Sequence, residues 1–159
     1  MPPLEGQWQV VVEVIYAMLL AGSIGVEREM KDRPAGFRTH MLVGGAAAFL
    51  VGTGNLVMEA SMRHGDEAVV VDPFRLVEAV VAGVAFIGAG TIFAQRSAGV
   101  VIGITTAASL LMVAVVGVAV GFGYYLLPLL VTLITLAVLV LLSWIEQRLN
   151  RRGNPSQQA

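Results

Sequence analysis

Apolar and charged positions divide the chain into long blocks. From about Trp8 to Val26 the only charge is Glu13, and a second apolar block runs from about His40 to Met58. A third covers about Pro73 to Phe93, with Arg75 and Glu78 near its start. From Ser97 to Ile145 there is no Asp, Glu, Lys or Arg. A helix needs about 20 predominantly apolar residues to cross the hydrocarbon core. Each of the first three blocks therefore predicts one span, and the fourth is long enough for two. The stretch GFGYYLLP (121–128) supplies the break, because Gly ends helices and Pro is tolerated near the start of the next. The last two spans are placed at about 100–120 and 124–145. The expected fold is all-α, a polytopic membrane helix bundle of about five transmembrane helices. A four-span arrangement with one re-entrant segment is its rival.

Composition supports that reading. Of the 159 residues, 57% are hydrophobic and 13% charged, with mean hydropathy +0.79. A soluble domain carries roughly 25% charged residues, so this sequence cannot build an aqueous surface. The expected division is a membrane domain over 1–149 and a mobile cytoplasmic tail over 150–159. A net charge of −1 without a long basic run gives no reason to expect nucleic acid. The absence of cysteine excludes disulfides and thiolate chemistry. Two histidines, His40 and His64, argue against a zinc or haem site, so no cofactor is expected. The N-terminus MPPLEGQWQ lacks Lys and Arg, unlike the n-region of a secretory signal, and the first block reads as a retained span.

Orientation follows from the Lys/Arg bias. With the N-terminus outside and the C-terminus inside, the cytoplasmic segments hold Arg28, Lys31, Arg33, Arg38, Arg96, Arg148, Arg151 and Arg152. The exterior keeps Arg63 and Arg75 beside Glu59, Asp66, Glu67 and Asp72. The 59–72 segment reads as a polar exterior loop whose short apolar patch dips toward the interface.

Small residues four apart mark helix-packing faces in membranes. Gly99–Gly103 and Gly117–Gly121, with Ala107 and Ala114, form such a stripe on the fourth span. A homodimer through that stripe is one expectation. The second span offers Gly44, Ala48 and Gly52, and the third Ala82, Ala85 and Ala89.

Charges inside spans are costly, at least ~2.5–3.5 kcal/mol near the bilayer centre, and face an interior or a wet cavity. Glu13 and Glu78 each lie in the outer half of a span. Glu78 shares a face with Ala82, Ala85 and Ala89, which predicts that it points at neighbouring helices with Arg75 as its partner. Glu13, Glu78 and Glu59 are the candidate cation ligands, because magnesium takes oxygen ligands from one or two carboxylates and keeps several waters. The rival is a structural Arg75–Glu78 pair with a snorkelling or protonated Glu13. Further along, Gly88 and Gly90 weaken the third helix. Thr105 or Thr106 is a candidate cap for a helix beginning at the next residue, in a broken-helix ion site. The blander expectation, which we favour, is hydroxyls bonding back to carbonyls one turn earlier in intact helices.

The densest charge lies in SIGVEREMKDRPAGFRTHML (23–42). Lys31, Asp32 and Arg33 read as a solvated tip. Glu27, Arg28, Arg38, Thr39 and His40 read as a rim at the ends of the first two spans. There the turn at 34–36 is expected to bring Glu27 to Arg38, and Thr39 or nearby backbone to cap the second helix.

GSIGVEREMKDRPAGFRTHMLVGGAAA, followed by VAGVAFIGAGTIF and GITTAASLLMVAVVGVAVGFGYY, resembles the MgtC/SapB family of bacterial inner-membrane proteins over about residues 10 to 145. The positions carrying the resemblance are Glu27, Arg28, Pro34 to His40, Gly88 to Gly90, Gly103, and Thr105 to Ser109, including Thr106. It implies a multi-pass protein of the cytoplasmic membrane linked to magnesium limitation and acid tolerance and, in pathogens, to survival inside host cells. Family members are described both as magnesium-transport accessories and as inhibitors of the F-type ATP synthase. Longer members carry a soluble C-terminal domain, whereas this sequence stops ten residues after Leu149, so functions that reside in that domain are not assigned here. Two functions compete: binding or moving a divalent cation, with Mg2+ as ligand, or docking on another membrane complex such as the ATP synthase. No nucleophile–base pair, metal motif or cofactor fingerprint points to an enzyme.

Overall fold

The computed structural model describes residues 4–64, 72–94 and 103–153. These form five helices: α1 (Leu4–Glu29), α2 (Phe37–His64), α3 (Pro73–Ala94), α4 (Ile104–Gly121) and α5 (Leu126–Gly153). All five are long and apolar enough to cross a membrane. The expected dip of the exterior loop, Arg96, Gly99 and the tail beyond Gly153 lie outside the described residues. α5 itself runs past Leu149, where the membrane domain was expected to end.

Helix ends follow local chemistry. At α3, Asp72 accepts the Phe74 N–H through Oδ1 at 2.9 Å, and Pro73 occupies the first helical position, where its missing N–H costs nothing. α4 stops in a Schellman motif: Gly123 donates to Val120 O and Tyr124 to Ala119 O, with Gly123 at φ 82. α1 closes in the same way, with Asp32 donating to Glu29 O and Arg33 to Arg28 O. Here the left-handed position belongs to Asp32 at φ 50, a conformation Asp tolerates better than most residues. The tip read as merely solvated thus contains the stop signal of α1.

The core is the seam of α1, α2 and α4, which pack against one another extensively. Its contacts are short because the facing residues are small. A Cβ added to Gly117 would lie 2.2 Å from Gly44 O, and one on Gly121 would lie 2.8 Å from Ala48 O. Ala17, Ala21, Ile24, Val113 and Val116 fill the seam between the two membrane faces. Within the small stripe of the fourth span, Gly117 and Gly121 are therefore packed against the second span, while Gly103 and Ala107 meet the third.

α3 lies against α4, with Val80 and Val84 buried and Gly88 facing Ala107. It runs unbroken through Gly88 and Gly90, as the intact-helix reading expects, and residues 95–102 lie outside the described residues. Its Ala82 and Ala85 face outward, contrary to the packing face expected for them. Among the described residues α5 packs mainly on α1 and α4, and its outer surface is Leu, Ile and Val. Trp8 is exposed near one end of the bundle and Trp144 near the other, the span-end positions that amphipathic rings favour in membrane proteins. The Arg148 guanidinium lies 3.8 Å over the Trp144 ring.

Candidate functional site: two polar clusters at opposite ends of the bundle

At the end where α1 begins, the Glu13 carboxylate is 3% exposed. Its Oε1 accepts from Gln9 Nε2 at 3.0 Å, one helical turn earlier, and from the Tyr125 hydroxyl at 3.3 Å. Oε2 stands beside Gly52, where an added Cβ would approach it to 3.1 Å. Tyr125 is itself placed by Tyr16, whose hydroxyl donates to Tyr125 O at 3.0 Å and whose ring meets it edge-on at 5.8 Å. Asn55 of α2 donates to Gly121 O at 2.8 Å and so ties α2 to the end of α4. Glu13, Gln9, Asn55 and Glu59 line one cavity of about 370 Å³, with the Gly121–Gly123 backbone on its far side. Glu59 is exposed and paired with Arg63 at 3.2 Å.

Glu78 does not join this cavity. It is exposed in a separate concavity with Asp72, Arg75, Ala79 and Ala82. Among the described residues the ion pairs are Arg28–Glu27, Lys31–Glu27 and Arg63–Glu59, so the expected Arg75–Glu78 pair is not made. The α3 face carrying Glu78 turns away from α4 rather than toward neighbouring helices.

Tyr125 reports on the first cluster. Desolvation of its hydroxyl, and then the negative charge of Glu13, push its ionisation above the usual tyrosine range. In a Tyr16→Phe/Tyr124→Phe background, ultraviolet titration should find the remaining phenol ionising above an ordinary tyrosine. Glu13→Gln should bring that midpoint down; an unchanged midpoint would separate the two groups electrostatically.

At the opposite end, where most of the basic residues gather, Glu27 and Arg28 are 8% and 4% exposed. Glu27 Oε2 lies 3.7 Å from Arg28 Nη1, and Oε1 lies 2.5 Å from Lys31 Nζ. Neither contact has hydrogen-bond geometry, so both Glu27 oxygens and Arg28 Nε are buried without a hydrogen-bond partner. The Lys31 ammonium also reaches across to α5, donating to Leu139 O at 3.4 Å and to Ser143 Oγ. His40 is fully buried; its Nδ1 meets Gly36 O at 2.9 Å and its Nε2 meets Ser109 Oγ at 3.0 Å. The ring therefore joins the α1–α2 turn to α4.

The rim is therefore rearranged. Lys31, not Arg38, pairs with Glu27; Arg38 is exposed and Thr39 half-buried. The cap of α2 comes from Glu29, whose Oε2 accepts the Phe37 N–H at 2.7 Å, and not from Thr39. Thr106 and Ser109 belong to the buried cluster, Ser109 donating back to Thr106 O at 2.8 Å as the intact-helix reading expects. Thr105 is exposed, and α4 begins after Gly103 without a side-chain cap. Gly90 has open space around it, whereas Gly88 is packed on Ala107.

Gln9, Asn55, Tyr125, Glu29 and Lys31 were missed by sequence reasoning. Gln9–Glu13 and Glu27–Lys31 carry the i,i+4 signature of side chains sharing a helix face, which was the available signal. Tyr125 and Asn55 act across helices and leave no local signature.

A bundle of five membrane-length helices with buried polar clusters at both ends defines a polytopic membrane protein. The chain belongs to the MgtC family, whose sequence profile matches residues 14–148. It is 36% identical over 145 residues to the Escherichia coli K12 protein named "Putative magnesium transporter YhiD", covering 90% of this chain and 65% of that one. It is also 36% identical over 142 residues to Protein MgtC of Salmonella typhimurium LT2, covering 89% of this chain and 55% of that protein. Protein SapB of Bacillus subtilis 168 is 32% identical over 118 residues, or 73% of this chain and 49% of SapB. The chain thus spans half to two-thirds of the length of these relatives. No solved structure matches it significantly.

Proposed function

We propose that this protein serves magnesium homeostasis in the bacterial cytoplasmic membrane by binding a hydrated divalent cation at the Glu13 cavity. The observation that carries the reading is a carboxylate 3% exposed in the wall of a cavity of about 370 Å³ shared with Glu59, Gln9 and Asn55. A charge kept at that depth in a span is retained for a partner or a ligand. Among the described residues no three His, Cys, Asp or Glu side chains converge, which argues against a dehydrated metal cage. It suits Mg2+, which keeps several waters and is held through one or two carboxylates. The cavity is far larger than the ~10–15 Å³ that admits one water, so an ion can enter with its shell.

The name of the Escherichia coli relative supports the choice of magnesium. The Lys/Arg bias supports placing the Glu13 cavity on the exterior side and the Glu27 cluster on the cytoplasmic side. The filled α1–α2–α4 seam favours binding over an open conduit, and movement of the ion would require that seam to part. Catalysis has no place in this reading.

Titration of the purified protein in lipid nanodiscs with Mg2+, followed by calorimetry, tests it. Glu13→Gln should weaken binding at least about tenfold, since a cation loses a charged ligand, while Glu78→Gln should bind as the parent does. Equal affinity of the parent and Glu13→Gln would overturn the site. Liposome flux then divides transport from binding alone; binding without flux, with co-purification of another membrane complex, would make the protein a docked regulator.

A further inference from the structure

The outward faces of α3 and α5 differ in kind. Both lie on the outside of the bundle, but α5 presents Leu127, Leu130, Leu133, Ile134 and Val138, which suit lipid. α3 instead presents Arg75 and Glu78 above Ala79, Ala82, Phe86 and Gly90. Successive helical positions turn by 100°, so Arg75, Glu78, Ala79, Ala82 and Phe86 share a sector of about 100° on α3. Phe86 stands 82% exposed on that sector. The two charges border a shallow concavity of about 560 Å³ with Asp72, Ala79 and Ala82.

We infer that this face of α3 packs against the same face of a second copy of the chain. The argument is one of charge complementarity under symmetry. Two copies in one bilayer point the same way, so their two-fold axis runs along the membrane normal and their α3 helices meet in parallel. A two-fold contact is isologous: whatever residue i touches as j, j touches as i. Arg75 and Glu78 are opposite in charge, exposed, not paired with each other, and separated by only ~4.5 Å along the helix. In the symmetric dimer, Arg75 of each copy meets Glu78 of the other, and both charges are matched at once. Neither charge is suited to the alternative, since Glu78 sits ~7.5 Å into the helix, where lipid begins to replace water. Ala79 and Ala82 below the pair let the backbones approach, which strengthens dispersion contacts where no hydrophobic force drives association. The contact lies on α3, because Gly117 and Gly121 of α4 are already covered by α2.

Cross-linking in native membranes tests the inference. The chain has no cysteine, so single variants report cleanly. Ala82→Cys and, independently, Phe86→Cys should give a product of twice the chain mass with a short bis-maleimide, and Val138→Cys on α5 should not. In the Ala82→Cys background, Arg75→Glu and Glu78→Arg should each lower the cross-linked fraction roughly tenfold, because like charges then face each other. The Arg75→Glu/Glu78→Arg double variant should restore it. Absence of cross-linking from both α3 cysteines, an equal product from α5, or a product of another mass overturns the inference. So does a double variant as weak as the single ones, because the two charges would then not be matched across the contact.

Discussion

Gly117→Ala should lower the thermal unfolding midpoint in detergent more than any other single methyl addition in the bundle, with a loss of about 1–3 kcal/mol. The new Cβ would sit 2.2 Å from Gly44 O and 3.0 Å from the Ala47 Cβ. Real Cβ atoms do not approach a carbonyl oxygen that closely, and the obstacle is backbone, so no rotamer change relieves it. α2 and α4 must separate, and the neighbouring approach of Gly121 to Ala48 O is lost with them. Opposing this, alanine gains up to ~1 kcal/mol of helix propensity over glycine, so the outcome is a contest of two effects, and the clash wins. Gly83→Ala isolates the propensity effect, because nothing lies within 4 Å of its added Cβ. It should leave the midpoint unchanged or raise it. No truncation at position 44 can rescue Gly117→Ala, since glycine has no side chain to remove. A Gly117→Ala protein as stable as the parent would mean that α2 and α4 are not in this close contact.

That contact also shows what the sequence could and could not reveal. Glycine and alanine spaced by four identified the packing faces of α2 and α4, because close backbone approach requires small residues whatever the partner. The spacing did not say which helix would cover which stripe. In the α4 stripe, Gly117 and Gly121 are covered by α2 and Ala107 meets α3, while Ala82 and Ala85 of α3, expected to pack inward, face out. The five spans were legible because lipid demands about 20 apolar residues for each. Their polar contacts were legible only along one helix. Glu13 was identifiable by its cost in a span, and Gln9 by its position one turn away. Asn55 lines the same cavity from α2, and Tyr125 reaches the Glu13 carboxylate from the α4–α5 turn, over sequence separations that no local pattern records. Glu78 looked like Glu13 by depth and flanking residues, yet the rotation of α3 about its axis sends it to a different face. Helix rotation is set by tertiary packing, and a single sequence with small residues on several faces leaves it open.

The same reasoning makes the basic end the more sensitive of the two clusters. Glu27→Ala should destabilise the protein by about 3–5 kcal/mol, the usual cost of leaving a buried charge without its partner. Arg28 is 4% exposed, and its Nε already lacks an acceptor. Removing the Glu27 carboxylate, 3.7 Å away, leaves the guanidinium without a counter-charge in a site closed to water. Lys31 loses its 2.5 Å partner at the same time and keeps only its contacts to Leu139 O and Ser143 on α5. Lys31→Ala should cost far less, since its side chain is 25% exposed and partly exposed pairs contribute only ~0–1 kcal/mol. Its effect should appear instead as looser protection of the 139–143 stretch of α5 in amide exchange. A double-mutant cycle decides the wiring. Glu27→Gln with Lys31→Ala should be non-additive by at least about 0.5 kcal/mol, as for groups in contact, whereas Glu27→Gln with Arg38→Ala should be additive. Coupling to Arg38 in place of Lys31 would restore the pairing first read from the turn at 34–36. Coupling to Lys31 would establish Glu27 as the anion that holds α1, the α1–α2 turn and the end of α5 in one electrostatic unit. In that unit the buried carboxylate is irreplaceable, because two cations converge on it and no other carboxylate pairs with either among the described residues.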